Sequence, residues 1–406
     1  MIKNNLTIEN KIFKENLDNK FYQKSLLKFS EIIKDINLNK KKPKNFFNIF
    51  DESFKLNFFY NDLKKFKRYK KIAVIGMGGS SLGSQAIFKF LENKIKKIFF
   101  FFDDLDEEKI NDFKKKENLD SVLFLIISKS GNTTETLTNF IFLNIIKKKR
   151  KNIIIISEKK DNALNEIAKK NNLFFIEHKD FIGGRFSVLS EPGIVPAYFM
   201  GINTAKLRKN IKKYLIKSKF KSILKKNSIE TANLLYKKKI NNLILLNYDP
   251  KLKNFLNWYQ QLVAESLGKN GRGLLPLISS APKDHHSLLQ LYLDGNKNSV
   301  FYVFFNEKKS KLKLNTKKIS HSLNYLHKKD LQKIKVAQKN ALLKCFKKNR
   351  IPFKYFSIKE INEEILGELF SYFILETVIS AKLININPFN QPAVEQVKIE
   401  TKKYLK

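Results

Sequence analysis

The sequence predicts an α/β protein of two tandem domains, each with a mostly parallel sheet between two layers of helices. Between residues 71 and 176, five apolar runs alternate with amphipathic stretches. Continuous apolar strands separated by helices are typical of parallel sheets covered on both faces. A second, less regular series of strands and helices begins near residue 205. We therefore expect an N-terminal helical segment over 1–45, a first three-layer α/β/α domain over 46–200 and a second over 201–406.

The individual elements follow from hydrophobic spacing. One or two amphipathic helices are predicted over 8–35, followed by a connector with lysines and a proline over 38–45. Strands are predicted at 71–76, 96–102, 121–127, 152–157, 172–176, 242–248, 299–305 and 352–358. Helices are predicted at 84–92, 205–238, 252–268, 285–294, 329–347 and 360–382, with a terminal helix from about 393.

The net charge is +41, from 79 lysines and arginines against 38 acidic residues. Such a charge raises the question of nucleic-acid or membrane binding. The basic residues are spread along the whole chain, and the short runs at 40–44, 147–151 and 311–318 fall in different predicted loops and helix ends. We expect no specific nucleic acid and no membrane as partners. A nucleic-acid binder stays an alternative that requires basic residues clustered on one face.

Cysteine usage and hydropathy narrow the class of protein further. The single cysteine, Cys345, excludes an internal disulfide and a metal site built from cysteines. No apolar run approaches the roughly 20 residues that span a bilayer. The first residues of the sequence lack the apolar core of a secretory signal. We therefore expect a cytoplasmic protein.

Two strands run into loops that suit a phosphate group. The first loop is GMGGSSLG (76–83), where glycines allow a close approach of the backbone to an anion at a helix start. Its glycine spacing matches neither a dinucleotide site nor a P-loop. The second loop, SKSGNTTET (128–136), places several hydroxyls at the carboxyl end of a parallel strand, where ligands bind in open α/β sheets. The alternative for this second loop is a helix start that is merely well capped.

A third segment, GGRFSVLSEPG (183–193), lies between the two predicted domains. Arg185 follows a pair of glycines there, and a guanidinium fixed in such a cleft could stabilise a developing oxyanion. An ordinary surface arginine at a domain junction is the alternative. Composition alone does not separate the two.

The helix predicted at 252–268 carries a candidate base. Gln261 and Glu265 are four residues apart and therefore share a face of this mostly apolar helix. A carboxylate that loses hydration binds a proton more readily and is suited to general base catalysis, whereas a solvated helix residue is the alternative. His285 and His286 follow, and Asp284 could cap the next helix and orient an imidazole. Since neighbours on a helix point about 100° apart, at most one histidine would face the site.

Together these segments resemble the glucose-6-phosphate isomerase family, whose members have two sugar-isomerase domains. The matching blocks occur in the family's order: GMGGSSLGSQA (76–86), SKSGNTTET (128–136), IGGRFSVLSEPGIVPA (182–197), QQLVAESLGK (260–269) with HHSLLQ (285–290), and QPAVEQVK (391–398). The resemblance covers roughly residues 45–405. The blocks that contain Arg185 (182–197) and Glu265 (260–269) are specific to this family. The glycine-rich block (76–86) is not specific when it is taken alone.

The resemblance implies a role for each matching residue. Glu265 would move the proton between C2 and C1 of a hexose 6-phosphate, Arg185 would stabilise the enediolate, and His286 and Lys398 would assist ring opening. Substrate and its phosphate would be held by Gly79, Ser80, Ser128, Lys129, Ser130, Thr133, Gln261 and Gln391. This chemistry requires neither a metal nor another cofactor. Members are usually homodimers with a site near the interface, so the resemblance also suggests a homodimer.

Two further alternatives concern the substrate and the activity itself. Another isomerase with the same domains could accept mannose 6-phosphate, which a panel of hexose phosphates would reveal. A non-catalytic sugar-phosphate sensor would carry an added DNA-binding helix-turn-helix, and residues 1–60 show no such pattern. The joint presence of Glu265, His286, Arg185 and Lys398 also argues against a sensor.

Overall fold

A computed structural model of the chain describes residues 5–146, 151–308, 310–317 and 319–405. Within these residues, ten strands form two five-stranded sheets, which confirms the predicted α/β class. The first sheet is parallel throughout, in the order β3 (Ile98–Phe102), β2 (Lys71–Ile75), β4 (Val122–Ile127), β5 (Ile153–Ser157) and β6 (Phe174–Glu177). The second has the order β1 (Leu6–Lys11), β10 (Phe353–Ile358), β9 (Ser299–Asn306), β7 (Asn242–Asn247) and β8 (Leu275–Ser280).

The α-helices connect and cover the strands. In chain order they are α1 (Asn19–Asn39), α2 (Tyr60–Leu63), α3 (Leu82–Leu91), α4 (Glu107–Lys116), α5 (Thr134–Phe142), α6 (Ala163–Lys170), α7 (Glu191–Phe199), α8 (Thr204–Arg208), α9 (Lys213–Ile216), α10 (Ser218–Lys237), α11 (Lys253–Leu267), α12 (Leu289–Asp294), α13 (Leu331–Lys348), α14 (Glu363–Leu383) and α15 (Pro392–Tyr404). Among the described residues, none of these helices is both long and apolar enough to cross a membrane.

Both faces of the first sheet are buried, as its apolar strands predict. All six residues of β4 are buried, and alternate side chains along it point to opposite faces of the sheet. Phe113 on α4 and Phe140 on α5 pack on one face. Phe199 on α7 and Phe66 pack on the other. The sheet is thus the central layer of three.

The second sheet is also covered on both sides. Phe346 on α13 packs on one face. The long apolar helix α14 lies on the other face, in the largest core cluster, and contacts α10 and α11. Helix α11 also packs against α3, which follows β2 of the first sheet. This contact joins the two sheets' helical layers and brings α11 beside the turn that precedes α3.

Two strands were missed by the sequence analysis. Residues 8–11 were predicted to be helical, but Leu6–Lys11 pairs antiparallel with β10. Leu6 is buried in this pairing. The segment forms a strand because it pairs with β10, which lies about 350 residues later in the chain. The edge strand β8 was also not predicted. Its sequence, LPLISS, is not a continuous apolar run, and at the edge of the sheet Leu275 and Leu277 are exposed. The domain boundary near residue 200 stays a prediction.

Two predicted helices are interrupted. The stretch predicted at 205–238 consists of α8, α9 and α10, and Lys217 is extended between the last two. The helix predicted at 285–294 is replaced by a 3-10 turn at Lys283–His286 and the short α12. Asp284 binds back to β8 instead of capping a helix: its Oδ2 accepts from Ser280 N at 2.7 Å.

Two of the basic runs in the sequence are only partly described by the structure. Residues 147–150 of one run and residue 318 of the other lie outside the described residues.

Candidate active site

The loop around Arg185 packs directly on the glycine loop. Gly184 begins a 3-10 helix that ends at Leu189, and this helix lies against the turn Gly78–Ser80. A Cβ at Gly79 would come within 2.1 Å of the carbonyl carbon of Gly184. Only glycine permits this backbone approach. The two loops therefore fix each other, and with them the position of Arg185.

Arg185 is buried, with 2% of its side chain exposed. Within the described residues, its guanidinium makes five hydrogen bonds: Nε donates to Ser266 Oγ at 2.9 Å, Nη1 to Glu265 Oε2 at 3.0 Å and to Gln391 Oε1, and Nη2 to the carbonyls of Pro388 and Asn390. Burial lowers the pKa of Arg185, and the nearby carboxylate of Glu265 opposes that shift. The guanidinium thus ties the candidate base to the segment that precedes α15.

The carboxylate of Glu265 is held at both oxygens. Oε2 accepts from Arg185, and Oε1 accepts from Gln261 Nε2 at 2.9 Å, as the shared face of α11 predicts. About 25% of the Glu265 side chain is exposed, so the carboxylate opens to the cavity and is not enclosed by apolar groups. In the described part of the chain, Gln261 Oε1 is buried without a hydrogen-bond partner.

The hydroxyl-rich loop after β4 lies opposite. Gly131 has a φ of +68°, which turns the chain toward α5. The hydroxyl of Ser128 is buried beneath the loop and lies 2.9 Å from the hydroxyl of Thr133. Ser130 is exposed, and its hydroxyl lies 3.5 Å from that of Thr133. Ser128 is therefore placed to orient Thr133, whereas Ser130 and Thr133 face the cavity.

One cavity of about 370 Å³ collects most of the proposed residues. Those of the expected set that line it are Gly79, Ser80, Lys129, Ser130, Thr133, Arg185, Gln261, Glu265, Gln391 and Lys398. This lining joins a candidate base and a set of anion-binding groups in a volume that suits a small molecule. The cavity is also lined by five residues that the sequence did not predict as site residues: Met77, Glu158, Lys160, Gly184 and Glu395.

Lys398 reaches the cavity from α15, all of whose residues are exposed or partly exposed. Its Nζ pairs with Glu395 Oε1 at 2.6 Å, one turn earlier on the same helix. Both side chains are more than half exposed. Lys398 is thus present at the cavity, but its contacts are those of a surface ion pair.

The two histidines have different surroundings. His285 Nε2 lies 2.9 Å from the hydroxyl of Tyr248, and burial lowers the pKa of His285. Asp284 Oδ2 accepts hydrogen bonds from Ser279 and Ser280, and its role in orienting an imidazole stays a prediction. His286 is exposed, and the described residues that line the cavity do not include it. The structure of one chain therefore does not bring His286 to Glu265.

Comparisons with known proteins identify the family of the chain. Residues 30–274 match the family model of phosphoglucose isomerase. The chain is 33% identical over 350 residues to a glucose-6-phosphate isomerase of Methanocaldococcus jannaschii, covering 82% of this chain and 84% of the relative. It is 32% identical over 357 residues to a protein of the same name from Acholeplasma laidlawii, covering 84% of each.

Solved structures show the same fold. A hypothetical protein from Thermus thermophilus superposes with a TM-score of 0.79 at 23% identity, covering 96% of this chain and 99% of the other. A glucose-6-phosphate isomerase from Chlamydia trachomatis gives 0.77 at 15% identity, covering 99% and 88%. By the family model and by relatives that align along most of its length, the chain belongs to the phosphoglucose isomerase family.

Proposed function

We propose that the protein interconverts glucose 6-phosphate and fructose 6-phosphate. The observation that carries this proposal is the cavity of about 370 Å³ in which the carboxylate of Glu265 faces the loop of Ser130 and Thr133. Moving a hydrogen between C1 and C2 of a sugar requires a base beside those carbons and polar groups at the oxygens. Holding a phosphorylated sugar requires an anion site several ångströms away. The cavity offers both.

The anion site would bind the phosphate through hydroxyls, a lysine and backbone amides. Ser130 and Thr133 supply hydroxyl donors, and Lys129 supplies a positive charge. Helix α5 begins at Thr134, so its first amides point toward the same space. In the described residues, the side chain of Thr133 makes no capping bond to the helix. Its hydroxyl shares one hydrogen bond with Ser128, and a hydroxyl can take part in more than one, so it can also contact a ligand.

Proton transfer would use Glu265 as the base. It would remove the proton from C2 of the open aldose, give a cis-enediolate, and return the proton to C1. Arg185 would stabilise the negative charge of the enediolate that forms beside Glu265, and it anchors the cavity wall formed by Gln391. Gln261 would help to position the substrate from the cavity wall, and its Nε2 would hold the carboxylate of Glu265.

Ring opening would precede proton transfer and would use Lys398 and His286. Lys398 lines the cavity, whereas His286 is exposed outside it. We propose a homodimer in which His286 reaches the reacting sugar from a second copy of the chain. A cytoplasmic location stays a prediction.

A coupled assay tests the proposed activity. The purified protein is incubated with fructose 6-phosphate, and formation of glucose 6-phosphate is followed with an NADP-linked dehydrogenase. We expect turnover within the usual enzyme range of about 1–10³ per second. Absence of turnover by a folded protein would contradict the proposal. Mannose 6-phosphate, glucosamine 6-phosphate and unphosphorylated fructose are tested by direct chromatography of their products, because the dehydrogenase reports only glucose 6-phosphate.

A further inference from the structure

The phosphate loop (residues 128–133) lies beside a second loop that follows the neighbouring strand of the sheet. This is the β5–α6 loop (residues 158–162), which leaves the strand next to β4 in the sheet. Because carboxyl ends of parallel strands meet at one edge of a sheet, the two loops lie side by side. Hydrogen bonds join the phosphate loop to this loop and to the start of α6: Glu158 N donates to Lys129 O at 3.1 Å, Leu164 N to Gly131 O at 3.2 Å and Ala163 N to Asn132 Oδ1 at 2.9 Å.

Asn162 makes the contact close and rigid. A Cβ at Gly131 would come within 1.8 Å of Asn162 Oδ1, so the phosphate loop must have glycine there. The amide Nδ2 of Asn162 and that of Asn165 both donate to the carbonyl of Lys160, at 3.0 and 2.9 Å. The backbone of Lys160 is therefore fixed relative to the phosphate loop.

A buried carboxylate lies between two lysines at this edge. Glu158 has 8% of its side chain exposed and forms ion pairs with Lys160 Nζ and, at 3.5 Å, with Lys129 Nζ. Lys129 Nζ also donates to the carbonyl of Asp180 at 2.7 Å. One negative and two positive charges leave this group with one net positive charge. The cavity wall therefore remains attractive to an anion.

The ammonium group of Lys160 retains N–H donors that can contact a ligand in the cavity. An ammonium group has three N–H donors, and the ion pair with Glu158 engages one of them. About 60% of the Lys160 side chain is exposed, and it lines the same cavity as Ser130 and Thr133. A flexible, hydrated lysine acts on phosphate as a point charge and needs only to be anchored nearby.

We propose that Lys160 is a second lysine ligand of the substrate's phosphate, held beside the phosphate loop by Glu158 and the two asparagines. This proposal rests on the proposed function, because it assigns the phosphate of that substrate to this wall of the cavity. The phosphate dianion bridges Lys129 and Lys160 across the hydroxyls of Ser130 and Thr133. The sequence pattern SEKKDN gives no hint of this, since a charged loop is usually only solvated.

The test replaces Lys160 with methionine, which keeps the length of the side chain and removes its charge. The matched control is Lys159→Met, because Lys159 is adjacent, exposed and outside the cavity lining. Loss of one charge-assisted contact corresponds to a roughly tenfold weaker binding of phosphate. In Lys160→Met we expect KM for fructose 6-phosphate and the inhibition constant of inorganic phosphate to rise by about this same factor, with kcat within about twofold.

Lys160→Arg should recover most of the affinity, because it restores the charge. The proposal is overturned if Lys160→Met and Lys159→Met give the same KM and the same phosphate inhibition. A second measurement separates failure of this proposal from failure of the proposed function. It detects the binding of inorganic phosphate to the full chain by the increase in the thermal unfolding temperature. A wild-type protein that binds phosphate but does not isomerise sugar would reject the activity, while the Lys160 comparison would still decide the phosphate ligand.

Discussion

The backbones of Gly79 and Gly184 are in direct contact, although about a hundred residues separate them in the chain. A Cβ at Gly79 would lie 2.1 Å from the carbonyl carbon of Gly184 and 2.5 Å from the nitrogen of Arg185. In the opposite direction, a Cβ at Gly184 would lie 4.0 Å from its nearest neighbour, the Cα of Gly79. The contact is therefore asymmetric: one glycine is required by space and the other is not.

This asymmetry predicts different results for two alanine substitutions. Gly79→Ala should push the Arg185 loop away from the glycine loop and destabilise the protein by about 1–3 kcal/mol, since overpacking costs roughly this much. Gly184→Ala should cost less than about 1 kcal/mol, because among the described residues the atom nearest to its Cβ would be 4.0 Å away, an ordinary van der Waals contact. Urea unfolding of the two variants gives the comparison. Equal destabilisation would contradict the close approach of these loops.

Buried His178 should make stability depend on pH. It follows β6, and its Nδ1 lies 2.9 Å from the carbonyl of Lys179. Burial lowers the pKa of His178 from 6.5 to about 4. Between these values the unfolded chain binds a proton that the folded chain does not, so stability falls as the pH drops through this window. The contribution lost between about pH 7 and pH 4.5 is about 2 kcal/mol.

His178→Asn isolates this contribution, because the amide can still donate to the carbonyl and does not titrate. The free energy of unfolding is measured in urea at the same two pH values. The wild type should lose about 2 kcal/mol more than the variant over this interval. His321→Asn, at an exposed position, should follow the wild type. If His178→Asn loses as much as the wild type, His178 is not the source of the pH dependence.

A mixture of two inactive variants tests whether His286 acts from a second copy. Glu265→Gln and His286→Ala are each expected to lose most activity as homodimers. When the subunits are unfolded and refolded together, half of the dimers are mixed, and each of these has one complete site. The mixture should recover about a quarter of wild-type activity in a twofold dimer. No recovery, with mixed dimers confirmed by mass spectrometry, would show that His286 does not complete a partner's site.

The parts of the site that sequence could predict are local in the chain. The spacing of Gln261 and Glu265 on one helix is set by a single helical turn, and the structure has both on the cavity side of α11. The apolar run of β4 likewise leads directly into the phosphate loop. Such features depend on helix or strand periodicity, which the residues themselves carry.

The features that sequence could not predict arise from distant partners. Strand β1 exists because of its pairing with β10, and the five bonds of Arg185 include carbonyls about two hundred residues away. Glu158 and Lys160 join the site only because β5 lies beside β4 in the sheet. His286 was expected on a helix, but the chain forms a 3-10 turn whose Asp284 binds to β8.

Replacing the proposed base tests the central claim most directly. Glu265→Gln keeps the size of the side chain and its position between Arg185 and Gln261, but it removes the group that accepts the proton. Turnover of fructose 6-phosphate should fall by about 10²–10⁴-fold, the usual contribution of positioned proton transfer. Binding of the sugar phosphate, measured by calorimetry, should remain within about threefold of the wild type, because the phosphate loop is unchanged. Near-normal turnover in this variant would contradict the assignment of Glu265 as the base.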